Sequence, residues 1–322
     1  MIWWSKFASA LLFFSIVATL AQAPATYPLR VPYWVRSVRG DPIPAVDRRG
    51  LLVEVNGRKT EPELMLGPGS ALFLLIALDL TGDTSVASDS QNALASEIRK
   101  LDANTYVAVF NCQDELRVLQ EPIRNPDQSA KTIQSVTATG KPGLLTSIEQ
   151  IESIADAMLA RSAVRVGVLF ISDADVQTYR RDLTNPVINS SDSNDISRRF
   201  PEQLVQDTMA AFSSRMASAM APLEIVQLND LDDRWNEAYH DGLRTIASGT
   251  YGELRFCATR ASIPQTVTEA VAHLVEHYSL RILVPSQDDS VTVSMFAVPE
   301  GQMRLTYRSR FSLPPNNRHI RK

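Results

Sequence analysis

The chain has 322 residues, with 32 Lys plus Arg against 36 Asp plus Glu and a formal charge of −4. That length suits one large domain or two modest ones, and the near balance of charge offers no basis for a nucleic-acid partner. Only Cys112 and Cys257 are present, which excludes a framework of disulfide bridges.

In chain order, Lys6 is followed by FASALLFFSIVATLAQA, and no further charge occurs until Arg30. One positive residue, an apolar core too short to span a bilayer and small residues near Ala21 and Ala23 describe a secretory signal over residues 1–25. Cleavage after Ala25 suits the Ala23-Pro24-Ala25 pattern. The chain is therefore expected to be exported, to the periplasm or beyond the cell. A membrane is expected to be involved only if this segment is retained as an anchor.

Residues 26–69 read as a small β segment. TYPLRVPYWVRSV alternates like a strand, and LLVEV at 51–55 is closed by Asn56-Gly57, a strong hairpin signal. The triplet Arg39-Gly40-Asp41 between them is expected to be a plain turn. A regular alternation then begins. Ala71–Leu78 is almost wholly apolar, as a parallel strand covered on both faces must be. A helix follows at about 89–102. TYVAVF at 105–110 and ELRVLQ at 115–120 read as a hairpin, and Gly143 to Arg161 as a helix.

RVGVLFI at 165–171 is another core strand. The stretch 182–201 has no usable period and reads as a long polar loop. A helix at 202–220, a strand at 223–229, a helix at 231–247, a strand at 253–258 and a helix at 264–276 capped by Ser262 complete the alternation. This pattern predicts an α/β fold with a doubly wound, mostly parallel sheet over residues 70–278. From 279 to 313 the period changes to two, giving strands that could join those at 26–55 in a terminal β unit. Residues 314–322 are a polar tail. His273 and His277, four apart, are expected to form one surface face near a helix end.

Two of the core strands end in aspartate, Asp79 and Asp173, on the sheet edge where ligands of such folds bind. Asp79, Thr81 and Asp83 could turn oxygen atoms inward if the chain loops tightly at Gly82, and hard divalent cations want oxygen ligands. The plainer reading is that these aspartates cap helices and order loops.

This arrangement resembles the von Willebrand factor type A domain, in particular the exported bacterial proteins described as VWFA-related domain proteins, known from Acidobacteria. Asp79-Leu-Thr81-Gly-Asp83 occupies the place of that family's Asp-x-Ser-x-Ser motif. Asp173 in ISDAD matches its second aspartate, and Gly140-Lys-Pro-Gly-Leu-Leu matches Gly-Gly-Thr-Ala-Leu with Pro142 in place of the threonine. VRSVRGDPIPAV, LLVEVNGRKTEP and HYSLRILVP extend the resemblance over residues 30 to 311. It implies a Rossmann-like sheet of order 3-2-1-4-5-6, in which Cys112 and Cys257 stand too far apart to pair.

The resemblance further implies a non-enzymatic adhesion or protein-binding domain. Asp79, Thr81, Asp83 and Asp173 would hold Mg2+, Mn2+ or Ca2+, and an acidic side chain of a partner protein would complete the coordination. Pro142, which brings no side-chain oxygen, and Asp83, which adds charge, mark the motif as degenerate. Two alternatives stand beside this one: a binding scaffold that uses no cation, and a metal-assisted hydrolase built on the same acidic tips.

Overall fold

The computed structural model describes residues 26–43, 46, 48–176, 202–229, 234–286, 288–298, 301 and 303–313. The expected signal, the polar stretch 182–201 and the tail 314–322 lie outside the described residues.

The central sheet is built from β5 (Leu72–Asp79), β6 (Thr105–Asn111), β7 (Arg117–Ile123), β8 (Arg165–Ser172), β9 (Leu223–Gln227) and β10 (Leu254–Phe256). Its spatial order is β10-β9-β8-β5-β6-β7. Every neighbouring pair is parallel except β6 and β7. Renumbered within the sheet this is 3-2-1-4-5-6, the order implied by the resemblance. The strand direction and register put Asp79 beside Ser172 at the carboxyl end of the two central strands.

Every residue of β5 except Phe73 is buried, and so is every residue of β8. Each has two apolar faces because helices cover both sides of the sheet. One face packs Leu74, Ile76, Leu78, Leu169 and Ile171 against α1 (Thr84–Ile98), α2 (Pro126–Gln134) and the helix Ile263–Glu276. The other packs Leu75, Ala77, Val168 and Phe170 against α3 (Leu144–Arg161), α4 (Glu202–Arg215) and α5 (Arg234–Gly249). The helix Ile263–Glu276 is α6.

The terminal strands do combine. β1 (Thr26–Ser37) lies between β11 (Tyr278–Pro285) and β13 (Met303–Tyr307), with β4 (Leu64–Leu66) outside β11. A second sheet orders β14 (Arg310–Ser312), β12 (Ser290–Ala297), β2 (Leu51–Val55) and β3 (Arg58–Lys59). Both share the apolar cluster that covers α3, α4 and α5. β1 is therefore buried without a break from Leu29 to Val35, where alternation is expected from sequence. The Asn56-Gly57 hairpin is present, with φ of 49° and 75°, the paired positive values of a type I′ turn.

Several boundaries differ from the sequence reading. α1 starts at Thr84 because Asp83 caps it. α2 is not anticipated by apolar spacing, yet Asn125 caps it and Pro126 opens it, the usual chemistry of a helix start. Ser262 precedes α6, but its side chain makes no cap bond there and instead closes a capping box with Thr259 around the preceding 3₁₀ turn. Arg39-Gly40-Asp41 is an exposed turn held by Gly40 N–H donating to Ser37 O at 2.9 Å. Cys112 and Cys257 are both free and buried.

The two histidines are not a surface face. His277 is 1 % exposed, and burial, then the Arg165 charge, push its pKa down to about 3, so the ring is neutral. His273 stacks on Trp34 with ring centroids 4.2 Å apart, and its Nδ1 lies 2.7 Å from the buried Glu224. β1, which contributes Trp34, covers them.

Two buried arginines serve the opposite, amino end of the sheet. Arg165 donates to the carbonyls of Val275, His277, Pro68 and Ser70, tying the end of α6 to the entrance of β5. Arg30 of β1 donates to Leu159 O and Ser162 O at the end of α3. Both supply positive charge and donors where helix carbonyls have none. Arg165→Met should leave four carbonyls without their donor and lower unfolding free energy by roughly 3 kcal/mol or more, read as a shifted urea midpoint at unchanged slope.

Candidate functional site

The carboxyl edge of the sheet is organised by two carboxylates. Asp79 is fully buried at the tip of β5. Its Oδ1 accepts the Gly143 N–H at 3.1 Å and its Oδ2 the Leu144 N–H at 3.0 Å. These are the first amides of α3, which no helical carbonyl can satisfy, so Asp79 caps that helix from a different element. Ser172, paired beside Asp79 on β8, also lowers its pKa. Gly143 is required at the crossing: a Cβ there would overlap the Cys112 carbonyl oxygen.

Asp173, 4 % exposed, follows β8. Its Oδ1 accepts from Thr81 N–H at 2.8 Å and from the Thr81 hydroxyl at 3.2 Å, and its Oδ2 accepts from Gly82 N–H at 2.7 Å. The β5–α1 turn is thus wrapped around the Asp173 carboxylate. Burial pushes the Asp79 pKa up to about 7; the new amide bonds pull it down, while the Asp173 charge adds to the rise.

Asp83 does something else. It is exposed, and its Oδ1 accepts from Ser85 N–H at 2.7 Å and from the Ser85 hydroxyl at 2.6 Å, the N-cap of α1. These bonds hold its carboxyl below the usual range. The structure therefore brings Asp79, Thr81 and Asp173 together and turns Asp83 away to a helix cap.

The divalent cation that the resemblance implies would need free oxygen donors at this edge. Each oxygen of Asp79 and of Asp173 accepts a backbone N–H, Asp83 faces Ser85, and Pro142 brings no side-chain oxygen. Among the described residues no group of three or more His, Cys, Asp or Glu side chains is placed to hold a metal ion. As arranged, the carboxylates of Asp79 and Asp173 are directed at backbone amides and Asp83 is turned to its helix cap, which leaves Asp79, Thr81 and Asp173 as a small donor set for a divalent cation. The capping and loop-ordering role expected as the plainer reading is the one their hydrogen bonds perform.

Other polar residues, not singled out by the sequence, complete the edge. Gln113, buried, donates from its amide to Leu80 O and to Thr137 O. Asp114, at φ 58°, accepts Lys141 N–H and returns its own N–H to Lys141 O. Gln91 of α1 donates to Val136 O. Asn229 donates to Asp173 O, Gln227 donates to Ala174 O, and Asn236 accepts Val176 N–H. The available signal was positional: Gln113, Asp114, Gln227 and Asn229 all fall at or just beyond strand ends, as Asp79 and Asp173 do.

The Cys112 thiol lies under this edge. Burial, then the Asp79 charge, push its pKa far up, which leaves it a poor nucleophile.

Neither known family models nor curated proteins match the sequence. Among solved structures, the chain is similar to a von Willebrand factor type A protein from Catenulispora acidiphila, at 10 % identity and TM-score 0.46 over 92 % of this chain and 76 % of that one. It is also similar to the vWF domain of the type V pili tip protein Mfa5 from Porphyromonas gingivalis, at 10 % identity and TM-score 0.44 over 64 % and 95 % of the two chains. The PilB minor pilin from Streptococcus sanguinis matches at 8 % identity and TM-score 0.46 over 64 % and 62 %. Identities this low carry no residue roles across.

Asp79→Ala removes a cap and strands two buried amides, so it should cost about 2 kcal/mol or more. In hydrogen exchange the loss should concentrate at the start of α3. Gly143→Ala should be at least as damaging, through overlap with the Cys112 carbonyl, and would separate a packing constraint from an electrostatic one.

Proposed function

We propose that the protein is a non-enzymatic protein-binding domain whose binding face is the carboxyl edge of the central sheet, and that this face is held ready without a resident cation. One observation carries the reading. The four oxygens of Asp79 and Asp173 are engaged by amides from two different loops, so the work of ordering those loops is done inside the protein. A face assembled in this way binds without spending free energy on loop ordering, and preorganisation of that kind favours affinity.

The rim names the chemistry of the partner. Gly82, Asp83, Thr84, Asp114, Glu115, Thr137, Thr139, Gly140 and Lys141 are exposed around the edge. Asp83, Asp114 and Glu115 exceed Lys141 and Arg117, which pairs with Glu115 at 2.9 Å, by one charge. With no cation to bridge two carboxylates, an acidic partner side chain is repelled here, and a basic or neutral hydrogen-bonding one is favoured. This replaces the acidic partner that a cation-mediated site would take.

Export belongs to the same proposal and rests on residues 1–25. Among the described residues no helix is long and apolar enough to cross a membrane.

Titration calorimetry with Mg2+, Mn2+ and Ca2+ should give no saturable heat, and partner retention should persist in EDTA. Saturable 1:1 binding that disappears in Asp79→Ala would return the reading to a cation-mediated site. Charge reversal on the rim, Asp83→Lys with Glu115→Lys, should abolish retention while leaving the thermal melt within a few degrees. Retention unchanged by that pair would move the binding face elsewhere.

A further inference from the structure

Glu152 lies in the middle of α3 and is 2 % exposed. Neither of its carboxyl oxygens has a hydrogen-bond partner among the described residues. It belongs to an acidic stripe along one side of the helix. Glu149, three residues before it, pairs with Arg215 at the end of α4, at 3.1 Å. Asp156, four residues after it, accepts the Met220 N–H at 3.0 Å. Its two neighbours thus both reach the segment that runs from α4 to Met220, and Glu152 is the member between them that reaches nothing. Phe212, Met216 and Met220 of that segment are buried in the same apolar cluster that contains Ile148, Ile151 and Ala155 of α3.

The charged and titratable groups around it are accounted for. On α3 itself they are Glu149 and Asp156. From α4 comes Arg215, engaged by Glu149, and the segment after α4 meets Arg308, which donates to Ala217 O at 2.8 Å. From β1 come Tyr27, whose pKa is raised by burial and by Asp156, and Arg30, engaged by the carbonyls of Leu159 and Ser162. β5 and β8, on which α3 also packs, carry such groups only at their ends, Asp79 and Arg165. No cation is placed to neutralise an ionised Glu152 among the described residues.

We propose that Glu152 is a proton-controlled lock on the seam between α3 and the 202–220 segment: with its proton it is held in the core, and without it the seam is driven open. A neutral carboxyl can be buried unpaired at modest cost, whereas an unpaired carboxylate in the same place is far costlier. Burial, and next the charge of Asp156, push Glu152 well above the ordinary glutamate range, and burial raises Asp156 to about 6. The sign follows. Well below pH ~4.3 the folded and unfolded chains both hold the proton and Glu152 has no effect. Above it the unfolded chain releases a proton that the folded chain keeps, so stability falls as pH rises, until Glu152 itself ionises.

The test compares the protein with Glu152→Gln and Glu152→Met from pH 4 to pH 9. The folding equilibrium constant of the parent, relative to either variant, should fall by up to tenfold per pH unit above about 4.3. At pH 8, amide exchange corrected for its intrinsic pH dependence should be faster in the parent than in Glu152→Gln, specifically over 144–161 and 202–220. Asp156→Asn should end the fall at a lower pH, because the charge that helps hold the proton on Glu152 is gone. Parallel pH profiles for parent and variants would overturn the proposal. So would divergent profiles with exchange faster evenly over the chain, since Glu152 would then act on global stability and not on the seam.

Discussion

The first amides of a helix need acceptors, and in α3 the acceptor is a carboxylate from another element. Asp79 takes the N–H of both Gly143 and Leu144. That contact fixes where α3 begins relative to the central strand of the sheet. Because α3 then lies across β5 and β8, it also decides which apolar residues meet beneath it. Asp173 repeats the arrangement one strand over, with the amides of Thr81 and Gly82. Two acidic tips on adjacent strands repel one another, and the fold offsets that repulsion with oriented backbone dipoles. A helix start carries about half a positive charge, so the fit between Asp79 and α3 is electrostatic as well as geometric.

The other end of the sheet obeys the same rule with the signs reversed. Helix ends present carbonyls, and Arg30 and Arg165 supply the donors. Both arginines are nearly inaccessible, and burial lowers the pKa of each to about 10, still far above neutrality. They also join layers: Arg30 belongs to the terminal β unit and grips α3, while Arg165 belongs to the central sheet and grips the end of α6. The strands at 26–37 and 278–312 are therefore part of the same packed body as the parallel sheet. The continuous burial of Leu29 to Val35 has this cause.

Much of the fold was legible because its signals are local. The nearly all-apolar run from Leu72 to Leu78 could only be a strand covered on both faces. Asn56-Gly57 could hardly be other than a tight turn. The strand order was legible only through resemblance, because crossover choice leaves no mark on periodicity. α2 escaped because nine residues with Ser129, Ala130 and Ile133 as their buried face make too small an apolar stripe, although Asn125-Pro126 announced its start. His273 and His277 were misplaced because a helix wheel shows which residues share a side, and not which strand covers that side. At the carboxyl edge Asp79 and Asp173 were visible as residues, but their partners were not. Backbone amides are identical at every position, so no sequence pattern reports which of them will point at a carboxylate.

That anonymity of the backbone bears on the reading of the site. A carboxylate pair at a sheet edge can be neutralised by a cation, which needs further oxygen ligands, or by amides, which need only a suitable turn. Pro142 contributes neither a side-chain oxygen nor an N–H. It does hold φ near −65° just before the chain turns at Gly143, where the absence of a Cβ lets the backbone pass the Cys112 carbonyl. Proline followed by glycine thus suits the second solution and obstructs the first. Amide neutralisation also differs in consequence. A cation can leave, and its loss would release the loops it holds. The amides of residues 81, 82, 143 and 144 cannot leave without local unfolding, and Gln113, Asp114 and Asn229 tie the same loops to one another. Loops held in this way are ordered by the chain's own backbone, and their order does not depend on a ligand that can be removed.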